Sequence, residues 1–365
     1  VIGITSGPLV TLLARWRYVF LTATAGLLVA ANAGHGRGDW PSFAAGSRSL
    51  FGADGLRVYG HRPELVLGPF ALGSIRVLSA IGGYPVAVGV FVTLGVAAIW
   101  ALERLVPGRP IVTLLGGAAF LVGWVDMVMY GHIDDAIVYL SVVGAVWLIT
   151  TDRSSLAGVA LGIALASKQW AVVALPMLFG LSRRWRALAV AVSLAVLAWG
   201  PFALVDLDGL RGGTRLAWTA DDSLPARLGL LTGSTIAPDW YRLAEITAVL
   251  VVAVVVGWRC WPAVPFVAFG LRIALDPSTW SYYAAGVLLG ALIVDVLLTR
   301  WSVPWWTLAT FVATRLPGPW TLLAIAIVAF VWSVRRGDDD VPMFKGSSDG
   351  LDVPGRERRL LPVRR

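Results

Sequence analysis

Taken as an alternation of apolar and polar positions, the chain is a succession of apolar runs of about 12–20 residues, joined mostly by short polar connections. The runs fall near 18–33, 84–102, 111–130, 136–150, 155–167, 170–182, 187–205, 243–258, 262–275, 282–299, 303–315 and 320–334. That is too many for a signal peptide or a single anchor. Lipid offers the backbone no hydrogen-bond partner, so the pattern predicts an all-α, polytopic membrane protein with about 11–12 membrane helices. A further run near 64–81 is interrupted by Arg76 and rich in Gly and Ser, so it is expected to be an interfacial helix of the first external loop. The runs 155–167 and 170–182 are short. Thirteen residues reach about 20 Å of a ~30 Å hydrocarbon core, which places the turn Ala166-Ser-Lys-Gln-Trp170 below the membrane surface.

Composition agrees, with 57% hydrophobic and 14% charged residues and a mean hydropathy of +0.75, which excludes a soluble globular enzyme. The net charge of +8 arises from 30 basic residues against 22 acidic ones. The basic residues lie in short loops and the C-terminal tail, which indicates membrane orientation and not nucleic-acid binding. Arg15, Arg17, Arg104, Arg109, Arg153, Arg183, Arg184, Arg186, Arg259, Arg300, Arg335 and Arg336 then mark cytoplasmic ends. Loops 34–82 and 206–240 become external, residues 1–336 form one transmembrane domain, and 337–365 is expected to be a disordered cytoplasmic tail. The lone Cys260 cannot form an internal disulfide, and no internal repeat emerges.

Four features can carry chemistry. Asp39, in His35-Gly-Arg-Gly-Asp39, follows the first run and is flanked by glycines; it can serve as a general base or cap a helix before Trp40-Pro41. His61 and Glu64 in the same loop can hold a sugar or form a solvated turn. Asp126, Tyr130 and Asp134 are spaced i, i+4, i+8, although Gly131-His132 breaks that helix, so Asp134 and Asp135 can either face a polar cavity or cap the next helix. Lys168 is one of only two lysines, and it needs an anion such as a lipid phosphate or must snorkel to the headgroups. Arg272 and Asp276, at i, i+4, can pair with each other or bind ligand, and Tyr283 nearby suits either an interfacial belt or a sugar platform. Metal-ligand spacings, a P-loop, a nucleophile elbow and a Rossmann fingerprint are all missing, which leaves nucleotide-driven chemistry unsupported.

Asp39, the segment Gly131-His-Ile-Asp-Asp-Ala-Ile137, the stretch Leu156 to Trp170 ending in Ala-Ser-Lys-Gln-Trp, and Leu175-Pro176 together resemble the GT-C superfamily of polyprenol-phosphate-sugar-dependent glycosyltransferases. The resemblance is greatest to the actinobacterial family 87 mannosyltransferases of the phosphatidylinositol-mannoside type, and it spans about residues 14–335. It implies Asp39 as catalytic base; the reading of the residues themselves adds Lys168 and Arg272 as candidates at the donor phosphate and His61, Asp126, His132, Asp134 and Tyr283 as candidates toward the substrates. The resemblance also implies inverting transfer of mannose from a polyprenyl-phosphate donor to a glycolipid or lipoglycan acceptor, on the external face of the plasma membrane. Many GT-C members carry two adjacent acidic residues in the first loop. This chain has one, so the expected mechanism needs no cofactor, with a divalent metal left open. A transporter or flippase of a lipid-linked sugar is the alternative, and a different sugar donor is a third reading; long external loops without repeat symmetry favour an enzyme.

Overall fold

The structure is a computed structural model that describes residues 8–336 apart from 35, 216–217, 232–235, 279 and 317, so His35 and the tail lie outside the described residues. All regular elements among the described residues are helical, with a single antiparallel bridge between Trp218 and Ile236. Helix α1 (Pro8–Asn32) leads into the first loop, which carries α2 (Trp40–Leu50), the short α3 (Val58–His61) and α4 (Pro69–Ile81). Then come α5 (Gly83–Leu105), α6 (Pro110–Met129), α7 (Ile133–Thr150), α8 (Ser154–Ser167) and a 3₁₀ segment, Gln169–Gly180. Helix α9 (Arg184–Val205) precedes the second loop with α10 (Leu207–Arg215) and α11 (Leu224–Arg227). The chain continues through α12 (Asp239–Cys260), α13 (Val264–Leu275), α14 (Ala284–Leu297), α15 (Trp305–Ala313) and α16 (Trp320–Arg336).

By length and composition, six stretches among the described residues can cross a membrane: α1, α5, α6, α7, α9 and the 36-residue stretch Trp240–Leu275, which bends at the 3₁₀ turn Trp261–Ala263 between α12 and α13. The other apolar elements are shorter than a bilayer is thick. For α14 burial explains why this is tolerated, since it is enclosed along its length and non-spanning backbone is stable at membrane depth only inside protein. Helices α1 and α9 lie outside and turn Leu27, Leu197 and Leu204 outward, as lipid-facing surfaces do.

The pair expected at 155–182 is not two α-helices. Its second member is a 12-residue 3₁₀ run with Pro176 inside it, spanning about 24 Å at the ~2.0 Å rise of that helix where an α-helix would span about 18 Å. Helix α8 lies between α7 and α9. A side chain at Gly158 would meet the backbone of Ala187, and one at Gly162 would stand 2.8 Å from Leu194 Cβ, so the small-residue stripe lets α8 and α9 touch closely.

Contacts sort the connections into two ends. At one end the Asp39 N–H donates to Tyr130 O (2.9 Å), Gly68 N–H to Ser167 O (2.6 Å) and Ala220 N–H to Pro277 O (2.8 Å), while Gly60 lies against Asp206 and Gly209. Both long loops therefore share an end with the turns at 130–132, 167–169 and 276–283. The opposite end holds the Arg17–Glu103 ion pair (2.9 Å), the Asp152–Ser182 hydrogen bond (2.7 Å) and Arg109, which donates to the carbonyls of Val296 and Thr299 (both 2.9 Å). This is the alternation that the arginine pattern predicts.

Candidate active site

Two short glycine-containing turns bring Asp39 and His132 together. Helix α6 ends at Met129, and Gly131 takes φ +83°, so the chain reverses before α7 begins at Ile133. Gly38 takes φ +48° directly beside Tyr130. A side chain on Gly38 would overlap the Tyr130 carbonyl, and one on Gly131 would lie 2.6 Å from Trp40 N. The two turns interlock through these bare positions, which sets Asp39 against His132.

Asp39 stands at the N-cap position of α2 but makes no capping bond. Its Oδ2 lies 3.1 Å from His132 Nε2, with the Asp39 side chain 56% exposed and the imidazole 5% exposed. On the far side of the ring, Nδ1 lies 3.5 Å from Asp135 Oδ2 and 3.7 Å from Asp134 Oδ1. These are ion-pair separations, and neither ring nitrogen makes a hydrogen bond of good geometry. Tyr282 stacks on the ring with centroids 4.0 Å apart, and Phe43 meets its edge at 5.8 Å. Burial opposes a charged imidazole, yet the carboxylates of Asp135, Asp39 and Asp134 outweigh it and push His132 up to about 9, so the ring is an imidazolium at neutral pH. The same contact with His132 holds Asp39 below the usual carboxylate range, against the opposing effect of its partial burial.

Lys168, extended at the end of α8, finds its anions within the chain. Its ammonium is bonded to Asp134 and lies 3.4 Å from Asp135 Oδ1, all three residues being buried. The two aspartates occupy the first turn of α7 without a side-chain capping bond at its N-terminus, so ion pairing has displaced the capping alternative. His132, Asp134 and Asp135 each offer a ligand-type atom within 4.8 Å of the others, the one group of that kind among the described residues. The Lys168 ammonium already supplies a cation to both carboxylates.

A second buried group lies alongside. Arg272 Nη2 donates to Asp276 Oδ2 (3.2 Å), which also accepts from Arg242 Nη1 (3.3 Å), and Arg242 donates to Glu245 (2.9 Å). The Arg272 guanidinium lies 4.5 Å from the Trp170 ring centroid and 5.3 Å from that of Tyr283. Arg272 Nε and Trp170 Nε1 are buried donors without a partner, and buried polar groups of this kind call for a ligand or water.

Of the remaining sequence candidates, Asp126 accepts from Ser281 Oγ (2.8 Å), which ties α6 to the segment carrying Tyr282 and Tyr283. His61 pairs with Asp54 (2.8 Å) on the exposed side of the first loop, and no described contact joins it to the Asp39–Lys168 group. Arg242 and Glu245 escaped the sequence reading. Their signal was an i, i+3 charge pair at the edge of an apolar run, where it passes for loop. Trp170, at the end of the Ala-Ser-Lys-Gln-Trp turn, and Tyr282, beside Tyr283, stood in quoted segments without a site role of their own.

A family model for glycosyltransferase family 87 matches residues 65–275. That span contains Asp126, His132, Asp134, Asp135, Lys168 and Arg272, with Asp39 lying ahead of it. No curated protein and no solved structure matches the chain.

Proposed function

This chain belongs to glycosyltransferase family 87 and is a multi-pass membrane glycosyltransferase; on that premise we propose that it transfers mannose from polyprenyl-phosphate mannose to a glycolipid or lipoglycan acceptor at the external face of the plasma membrane. The reaction is a single inverting displacement. The acceptor oxygen bonds to the anomeric carbon, the bond from that carbon to the phosphate oxygen breaks, and the acceptor proton passes to the Asp39 carboxylate.

The observation that carries this reading is Asp39 itself, a half-exposed carboxylate held against a buried cation at the end of the protein where both long loops gather. Its ionisation, favoured by His132, suits a group that must be unprotonated before it acts. The unpartnered donors of Arg272 and Trp170 suit the departing phosphate, and charge that grows there in the transition state is stabilised by donors already in place. Lys168 adds a second positive charge, its ammonium shared with Asp134 and Asp135. Tyr283, beside the Arg272 guanidinium, and Asp126, joined to Ser281, are the residues proposed toward the sugars, and His61 stands apart from this group. The arginines at the opposite end support the external placement.

The test incubates purified protein with labelled polyprenyl-phosphate mannose and a panel of glycolipids, and determines the anomeric configuration of any product. Wild-type protein should form an inverted mannoside. Asp39→Asn should turn over about 10²–10⁴-fold more slowly. Transfer from a different sugar donor alone would overturn the mannose assignment, and an active Asp39→Asn would overturn the base.

A further inference from the structure

The groups behind Asp39 form a chain of alternating charge that runs inward from the loop. The carboxylate of Asp39 meets the His132 imidazole at 3.1 Å. The opposite edge of the ring meets Asp135 at 3.5 Å and Asp134 at 3.7 Å, and those two meet the Lys168 ammonium. Only Asp39 is substantially open to a substrate. The imidazole is 5% exposed and enclosed by Tyr282 and Phe43, which leaves it no free edge for a sugar hydroxyl.

We infer that His132 is the positioning residue of the transfer reaction, acting through Asp39: its buried ring, anchored by the Asp134–Asp135–Lys168 group, fixes one carboxylate oxygen so that the other faces the acceptor hydroxyl. The inference rests on Asp39 being the base. Asp39 sits on a glycine-flanked turn and makes no side-chain capping bond to α2; its backbone bonds with Tyr130 and Phe43 hold the main chain, and the described contact of its carboxylate is with the ring. His132 in turn is held from three sides, by Tyr282 stacking, by the Phe43 edge and by the two aspartates. Lys168 balances the charge that those aspartates would otherwise leave buried. The proton taken from the acceptor ends on Asp39, and His132 keeps its own.

The experiment measures steady-state mannosyl transfer by the full chain, with the donor and acceptor pair used above, for Asp39→Asn, His132→Ala, His132→Gln and the double variant Asp39→Asn/His132→Ala. His132→Ala should lower kcat by about 10–100-fold with both KM values within about twofold of wild type, the pattern of a group needed in the transition state and not for binding. His132→Gln, which keeps a neutral donor toward Asp39, should recover part of that loss. The double variant should be no slower than Asp39→Asn alone, because residues that act as a unit are not additive. A His132→Ala enzyme with normal kcat, or one with raised KM and unchanged kcat, would overturn the inference while a slow Asp39→Asn left the base assignment standing. An active Asp39→Asn would instead sink the base reading. Should the His132 variants not fold, ¹⁵N-histidine spectra of the wild type decide: a proton on the His132 Nε2 that faces Asp39 supports the role, and an unprotonated Nε2 overturns it.

Discussion

Lys168→Met removes one charge and keeps most of the side chain's length. Asp134 and Asp135 are 0% and 2% exposed, and without the ammonium their remaining cationic neighbour in contact is His132. Two carboxylates then share one imidazolium that also serves Asp39. Removing one partner of a buried ion pair costs roughly 3–5 kcal/mol, because the charge left behind has lost its hydration and its counter-ion together. Lys168→Met should therefore lose stability on that scale, measured as a shift in the denaturant midpoint of the detergent-solubilised protein at constant m-value. Asp134→Asn in the same background deletes the surplus charge and should recover about half of the loss, which a double-mutant cycle reads as strong coupling. Donor affinity is measured alongside. A lysine held mainly for donor phosphate would leave stability unchanged when replaced and lower affinity alone. That result, or additive losses in the double variant, would refute the charge-balance reasoning.

Three further outcomes follow from the same geometry. Gly38→Ala must adopt φ near +48° and push its side chain into Tyr130, so it should lose about 1–3 kcal/mol of stability and lower kcat by displacing Asp39; unchanged unfolding and turnover would contradict the interlocked turns. Because the folded value of His132 is raised from 6.5 to about 9, its ion pairs add stability that is fully present below about pH 6.5 and is lost as pH rises through about 9. The difference in unfolding free energy between wild type and His132→Gln should shrink by on the order of 3 kcal/mol between pH 6 and pH 10, and a pH-independent difference would count against it. Arg272→Lys keeps the charge toward Asp276 but removes the planar fork and its unpartnered Nε, so donor KM should rise about tenfold with kcat nearly unchanged; an unaltered KM would remove Arg272 from the donor site.

The fold class was legible in the sequence because lipid imposes it. Long apolar runs must become helices, and arginine placement fixes which connections share an end, so the grouping of the Asp39 loop, the 130–132 turn, the Lys168 turn and the 276–283 segment followed from parity alone. Asp39, His132, Asp134, Lys168 and Arg272 were also visible, since charge inside or beside an apolar run stands out wherever it falls. What the sequence left open was who meets whom. Lys168 called for an anion, and only packing of α7 against α8 could say that Asp134 and Asp135 supply it. Capping of α2 by Asp39 and of α7 by its aspartates were local possibilities of ordinary strength, and both lost to ion pairs between residues 33 to 93 positions apart, which no local pattern encodes. The 3₁₀ course of Gln169–Gly180 was equally hidden, because its apolar composition serves either helix. The sequence thus determined the inventory of helices and charges through a solvent rule that acts residue by residue, while the tertiary structure decided the pairings, because in a low-dielectric interior a charge is stabilised by whichever counter-charge packing brings within a few ångströms.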